Sequence, residues 1–226
     1  MARVITYGSS TTYGLWGREG GEEGYAELLK NSLMESTKKE PEDRFVHVYN
    51  RGRPAENIAQ TVLQVAHDTN IVFGGQRGRT IAAFMLGTYD HVILPNETEP
   101  ITPRVRFLAD LGRIDELCTQ SGIIALFIGL PPLDDRYTQP TGTGEVFNDD
   151  SRREYEDMVR QHADRHGYPF VEVYDALGGK DVREHGFIAK DYLHINGPAH
   201  RIIHNLLLSK IKLVLNEPNP FHPITL

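Results

Sequence analysis

The chain has 226 residues, 39% of them hydrophobic and 24% charged, which suits one globular domain around a shared core and is short for two. Its 21 glycines and 13 prolines are far from collagen-like or low-complexity levels, and a net charge of -7 at pH 7 offers no attraction to nucleic acid or to anionic lipid head groups. Cys118 is the only cysteine, which excludes an internal disulfide and a thiolate zinc cage.

The first segment, MARVITYGSS, lacks the long apolar stretch of a signal peptide, and no later run approaches the roughly 20 apolar residues of a membrane helix. The expectation is a soluble, cytoplasmic protein with no membrane span and no nucleic-acid partner. Residues 3–7 then read as a buried strand, 24–34 as a helix, 45–49 as a strand and 55–67 as a helix. The alternation continues with a strand at 80–86, a helix at 105–121, a strand at 123–128, a helix at 151–166 and a strand at 170–174. The last helix, 198–215, carries Ile202, Ile203, Leu206, Leu207, Ile211 and Val214 as an apolar stripe that should pack on a sheet.

Near-continuous apolar strands without tight hairpins predict a mostly parallel five-stranded sheet covered on both faces, an α/β class three-layer α/β/α sandwich. In such sheets functional residues gather beyond the carboxyl ends of the strands. One domain is expected over residues 1–215, followed by a proline-containing tail at 216–226. Residues 133–150, rich in Gly, Thr, Pro and Asp, read as a long loop that forms a mobile rim or lid over a pocket.

The first strand runs directly into Gly8-Ser9-Ser10-Thr11-Thr12-Tyr13-Gly14. A serine hydroxyl in that position is a weak nucleophile until a base removes its proton, so the reading requires a histidine at the same sheet edge. Asp191-Tyr192-Leu193-His194, just ahead of the last helix, supplies one, with a carboxylate three residues away to hold the second ring nitrogen.

Taken together these segments resemble the SGNH or GDSL-type serine hydrolases almost from end to end. The Gly-Asp-Ser-x-Thr-x-Gly block of that family is similar to Gly8–Gly14, which makes Ser10 the counterpart of the nucleophile. Its Asn-x-Gly block resembles Asn50-Arg51-Gly52, and the resemblance assigns the Gly52 amide to an oxyanion hole with the Ser10 amide. Its Asp-x-x-His block is matched by Asp191 to His194. The resemblance implies a flavodoxin-like SGNH-hydrolase fold and cleavage of a small-molecule, sugar or lipid ester through an acyl-enzyme, with Ser10, His194 and Asp191 catalytic and no metal or organic cofactor.

Two positions depart from the pattern. Where the family has Gly-x-Asn-Asp, this chain has Gly87-Thr88-Tyr89-Asp90, so a phenol replaces an amide that donates to the oxyanion. Loss of one such donor typically costs about two to three orders of magnitude in turnover. Tyr89 is therefore expected either to reach the oxyanion from farther back or to fill part of the acyl pocket. The second departure is Ser9 in place of aspartate. Tyr13 and Trp16 are expected to line the substrate pocket, which would favour a short acyl group. An acyltransferase using the same serine, and a catalytically weakened carbohydrate- or protein-binding module, stay open as alternatives, as does the oligomeric state.

Other groups have plainer readings. The pairs His162/His166 and His200/His204 have helical ligand spacing but no His-Glu-x-x-His motif, and are read as solvated helix faces. Asp134-Asp135 and Asp149-Asp150 are read as solubilising or helix-capping, residues 74–79 as the connection into the third strand, and Cys118 as a buried small apolar residue.

Overall fold

The computed structural model describes residues 2–17, 23–37, 45–72, 78–134 and 140–216. The tail beyond residue 216, residues 135–139 of the long loop and most of the 74–79 connection lie outside the described residues. Five strands, β1 (Ala2–Gly8), β2 (Val46–Asn50), β3 (Arg79–Met85), β4 (Ile123–Ile128) and β5 (Phe170–Val171), form one sheet in the order β2-β1-β3-β4-β5 with every pairing parallel. The helices are α1 (Ser10–Tyr13), α2 (Tyr25–Thr37), α3 (Ile58–His67), α4 (Arg104–Gln120), α5 (Asp149–His166) and α6 (Gly197–Asn216).

Alternation along each strand divides the core into two layers. Val4, Ile81, Ala83, Leu126 and Ile128 pack beneath Tyr25, Leu29 and Leu33 of α2 and Ile203, Leu207 and Ile211 of α6. Their neighbours Ile5, Tyr7, Ala82, Phe84, Ala125 and Phe127 point the other way, onto Ile58 and Val65 of α3, Phe107, Leu111 and Ile114 of α4, and Tyr155 and Val159 of α5. Each large apolar side chain enclosed this way contributes ~1.5–3 kcal/mol, and both faces must be covered because the strands are apolar on both. No helix among the described residues is long and apolar enough to cross a membrane.

Local chemistry sets the element ends. Asn57 accepts the Gln60 amide at 3.1 Å while the Gln60 side chain accepts the Asn57 amide at 2.9 Å, a reciprocal cap that starts α3. Asn148 caps α5 by accepting the Ser151 amide at 2.8 Å, and Gly167 in left-handed backbone ends it. The predicted fifth strand shortens to Phe170–Val171, since its only neighbour, β4, gives way to Gly129-Leu130-Pro131-Pro132, where proline has no amide to extend a ladder. The one-turn α1 has no apolar period and was not expected.

Several polar residues sit deeper than their patterns suggest. His162 and His200 are buried, not on solvated faces, and Cys118 is enclosed as expected, burial pushing its thiol up to about 12. Asp134 and Asp149 are buried as well, and the cap of α5 is Asn148.

Glu156 is enclosed in α5, and desolvation pushes its carboxyl up to about 7 despite the nearby Arg160 and Arg152 guanidiniums. Between the ordinary value of 4.5 and about 7 the folded chain keeps a proton that the unfolded chain has released, so this group's contribution to stability falls as pH rises through that window. Glu156→Gln should therefore flatten the slope of Tm against pH between about 4.5 and 7, measured by calorimetry.

Candidate active site

The strand order reverses direction of growth at β1 and β3, and the crevice beyond their carboxyl ends is where open parallel sheets bind ligands. β1 delivers Ser10 to this crevice. Gly8 has φ +150°, and a Cβ there would fall 2.4 Å from Thr12 Oγ1 and 2.7 Å from the Met85 carbonyl oxygen, so only glycine allows the turn. The chain then closes into α1, fixed by the Tyr13 amide donating to the Ser9 carbonyl at 3.0 Å and by a 2.7 Å hydrogen bond between the Thr12 and Tyr25 hydroxyls. As the first residue of α1, Ser10 has an amide with no intrahelical acceptor.

His194 arrives from the loop ahead of α6. That loop is pinned by an isolated antiparallel bridge between Ile188 and Ile195 and by the Ala189 amide donating to the His194 carbonyl at 2.8 Å. Asp191 Oδ1 accepts the amides of Leu193 at 3.1 Å and His194 at 3.0 Å, while its Oδ2 lies 2.5 Å from His194 Nδ1. His194 Nε2 in turn lies 2.9 Å from Ser10 Oγ. Burial alone would raise the Asp191 carboxyl, but the His194 ring and the two amides outweigh it and hold the group below the usual carboxylate range. The structure thus brings Ser10, His194 and Asp191 into one hydrogen-bonded chain.

Buried His200 secures the same region. Its Nδ1 accepts the Tyr25 amide at 3.3 Å, which leaves the proton on Nε2, facing the Leu15 carbonyl at 3.4 Å. One side chain of α6 therefore holds the start of α2 and the loop that follows Ser10.

A cavity of about 230 Å³ opens over Ser10 and His194, with Ser9, Leu15, Ala55, Thr88, Tyr89, Glu145, Phe147 and Arg152 among its walls. A larger groove of about 450 Å³ lies over α3 between Arg53, Glu56, Leu63 and His67, and neither Ser10 nor His194 lines it. Described parts of the long loop form one side of the smaller cavity: Val146 bridges to Ile93, and Phe147 packs with Val92, Leu133 and Leu193.

Three expected contributors sit elsewhere or face elsewhere. Tyr13 is 56% exposed, and neither it nor Trp16 is among the cavity walls. Gly52 is packed against α1, where a Cβ would come 2.3 Å from the Tyr13 nitrogen, and its amide donates to Asn50 Oδ1 at 2.9 Å. Pro54 and Ala55 are the residues of that loop which reach the cavity; proline has no amide to offer, and Ala55 has φ +59° and an amide that donates to no described group. Sequence offered no signal for it, because alanine carries no mark of left-handed backbone. Tyr89 does line the cavity, but its hydroxyl donates to Glu145 Oε1 at 2.8 Å; burial and this hydrogen bond push the phenol up to about 12. Asp90, next in the chain, accepts the Ile58 amide at 2.9 Å and so ties the end of β3 to the start of α3.

A family model described as the GDSL-like Lipase/Acylhydrolase family matches residues 6–202. No curated protein sequence matches the chain significantly. Among solved structures, a lipase/acylhydrolase from Enterococcus faecalis superimposes with TM-score 0.70 at 16% identity, covering 95% of this chain and 97% of that one. The α/β hydrolase LAE5 from the Lake Arreo metagenome gives 0.64 at 21% identity, covering 95% and 96%. A single-site variant of Axe2, an acetyl xylan esterase from Geobacillus stearothermophilus, gives 0.62 at 18% identity, covering 92% and 94%.

With its hydroxyl committed to Glu145, Tyr89 has no proton to offer an oxyanion. Tyr89→Phe should leave kcat on a short aryl ester within about threefold of the parent, far from the roughly 10²- to 10³-fold loss that removal of an oxyanion donor brings.

Proposed function

Because the chain belongs to the GDSL-like lipase/acylhydrolase family and is thereby a carboxylic-ester hydrolase, we propose that it cleaves short-acyl esters by a Ser-His-Asp mechanism through an acyl-enzyme. The observation that carries this reading is the continuous relay from Asp191 Oδ2 through the imidazole to Ser10 Oγ, at 2.5 and 2.9 Å. His194 Nε2 takes the hydroxyl proton as Ser10 Oγ attacks the ester carbonyl, and Asp191, accepting from Nδ1, stabilises the imidazolium that forms. The tetrahedral intermediate expels the alcohol, to which His194 returns the proton. Water deprotonated by the same nitrogen then attacks the acyl-enzyme and releases the acid.

The oxyanion is bound by the backbone amides of Ser10 and Ala55 in place of Ser10 and Gly52. Support comes from the commitment of the Gly52 amide to Asn50 and from the position of Ala55 on the cavity wall. The cavity volume favours a small acyl group, and one similar fold belongs to an acetyl xylan esterase. No step calls for a metal or an organic cofactor.

Hydrolysis of 4-nitrophenyl acetate, followed by the absorbance of the released nitrophenolate, tests the relay. Ser10→Ala, His194→Ala and Asp191→Asn should each lose about three or more orders of magnitude in kcat. Residual rates equal to the parent's in the first two would remove the mechanism, and product analysis with added alcohol separates hydrolysis from acyl transfer. A second test concerns the oxyanion loop. Ala55→Gly keeps the amide and relieves the left-handed backbone, so activity should hold within about threefold while stability rises by up to ~1 kcal/mol in chemical denaturation.

A further inference from the structure

Arg152 stands in the first turn of α5 and is only 4% exposed. Its guanidinium donates no hydrogen bond and makes no ion pair to any described residue, and its Nε is fully enclosed. An enclosed N–H left in this state is costly, because water has been removed from it and no acceptor has replaced it.

The neighbouring acids are already engaged. Asp149 Oδ1 accepts the Leu133 amide at 3.0 Å and its Oδ2 accepts the Tyr174 hydroxyl at 2.6 Å. Glu156 Oε1 accepts from Arg160 at 3.0 Å. His91, whose Nδ1 proton goes to the Gly87 carbonyl at 2.9 Å, is kept neutral by burial and by the Arg152 charge, and adds no compensating charge. These acids set a favourable background potential for the arginine without supplying a bonded partner.

Arg152 does line the cavity that holds Ser10 and His194. Thr88 lines it too, and its Oγ1 is likewise enclosed without a partner. Both residues stand in the wall of the space where an ester must lie, while the Arg152 Nε and the Thr88 hydroxyl are themselves enclosed. Across the cavity, Glu145 has its oxygens occupied by the Tyr89 and Thr143 hydroxyls at 2.8 and 3.1 Å, and its charge turns an anion away from that wall.

We propose that the ester taken by this site carries a carboxylate, which the Arg152 guanidinium binds through its planar fork. The inference rests on the Ser10 reading for the position of the scissile bond, while the carboxylate site stands on Arg152 itself. Arg152 is a specificity-determining residue that touches substrate away from the reacting carbonyl.

Two measurements separate the ideas. In pH-stat hydrolysis, monomethyl glutarate is compared with its neutral isostere methyl 5-methylhexanoate, and 4-acetoxybenzoate with 4-isopropylphenyl acetate. The first pair places the carboxylate on the acyl side and the second on the alcohol side. In at least one pair the carboxylate should lower KM by roughly tenfold or more, and Arg152→Met should abolish that preference while Arg152→Lys keeps part of it. Calorimetric titration of the intact protein with glutarate and with neutral glutaramide reads the site independently of turnover. Binding of glutarate but not glutaramide, lost in Arg152→Met, supports the inference even where no ester is hydrolysed, an outcome that would overturn only the catalytic reading. Equal binding of the two compounds, or preference for the neutral ester in both pairs, overturns it. If Arg152→Met does not fold, the paired measurements on the parent protein decide alone.

Discussion

The hydrogen bond between His194 Nε2 and Ser10 Oγ joins groups 184 positions apart in the chain, and most of the architecture exists to make it possible. Neither partner has any local reason to meet the other. The meeting requires β1 to lie inside the sheet, a glycine turn at its end, and α6 packed across the same face so that the preceding loop hangs over the crevice. Loop closure over such a span is a large entropic cost, borne by the two apolar layers and not by the hydrogen bond itself.

The geometry around that bond divides labour between rigid and committed groups. Asp191 uses both oxygens, one on the imidazole and one on the backbone of its own loop, so the carboxylate that orients the His194 ring also shapes the turn carrying it. Tyr89 and Glu145 satisfy each other across the cavity, which explains how a phenol can stand where related sequences place an amide without exposing an unpaired polar group. Arg152 is the contrast: enclosed, charged and without a bonded partner among the described residues, in the wall of the cavity over Ser10 and His194.

Much of the architecture was legible in the residues because parallel strands buried on both faces leave continuous Val/Ile/Phe runs and their helices leave a three- and four-residue apolar beat. The approach of Ser10, Asp191 and His194 was legible for the same reason: all three follow elements that must end on one edge. What escaped reading depended on backbone angles or on depth. Ala55 has no side-chain signature for φ +59°, whereas Gly52 looked suitable yet was needed for close packing against α1. Arg152 sits in the polar run Ser151-Arg152-Arg153-Glu154, where nothing in the pattern signals burial, and His200 looked like half of an exposed pair. Burial in these cases comes from tertiary packing of polar residues, to which hydrophobic periodicity is blind.

His200 holds both the opening turn of α2 and the loop after Ser10 from within α6. A polypeptide emerging from the ribosome therefore presents its hydroxyl early, at a stage when neither the imidazole that would activate it nor the clamp that would steady it has been synthesised. On the proposed mechanism, reactivity is deferred until α6 docks, so that packing of that helix and pairing of the hydroxyl with its imidazole become the same event.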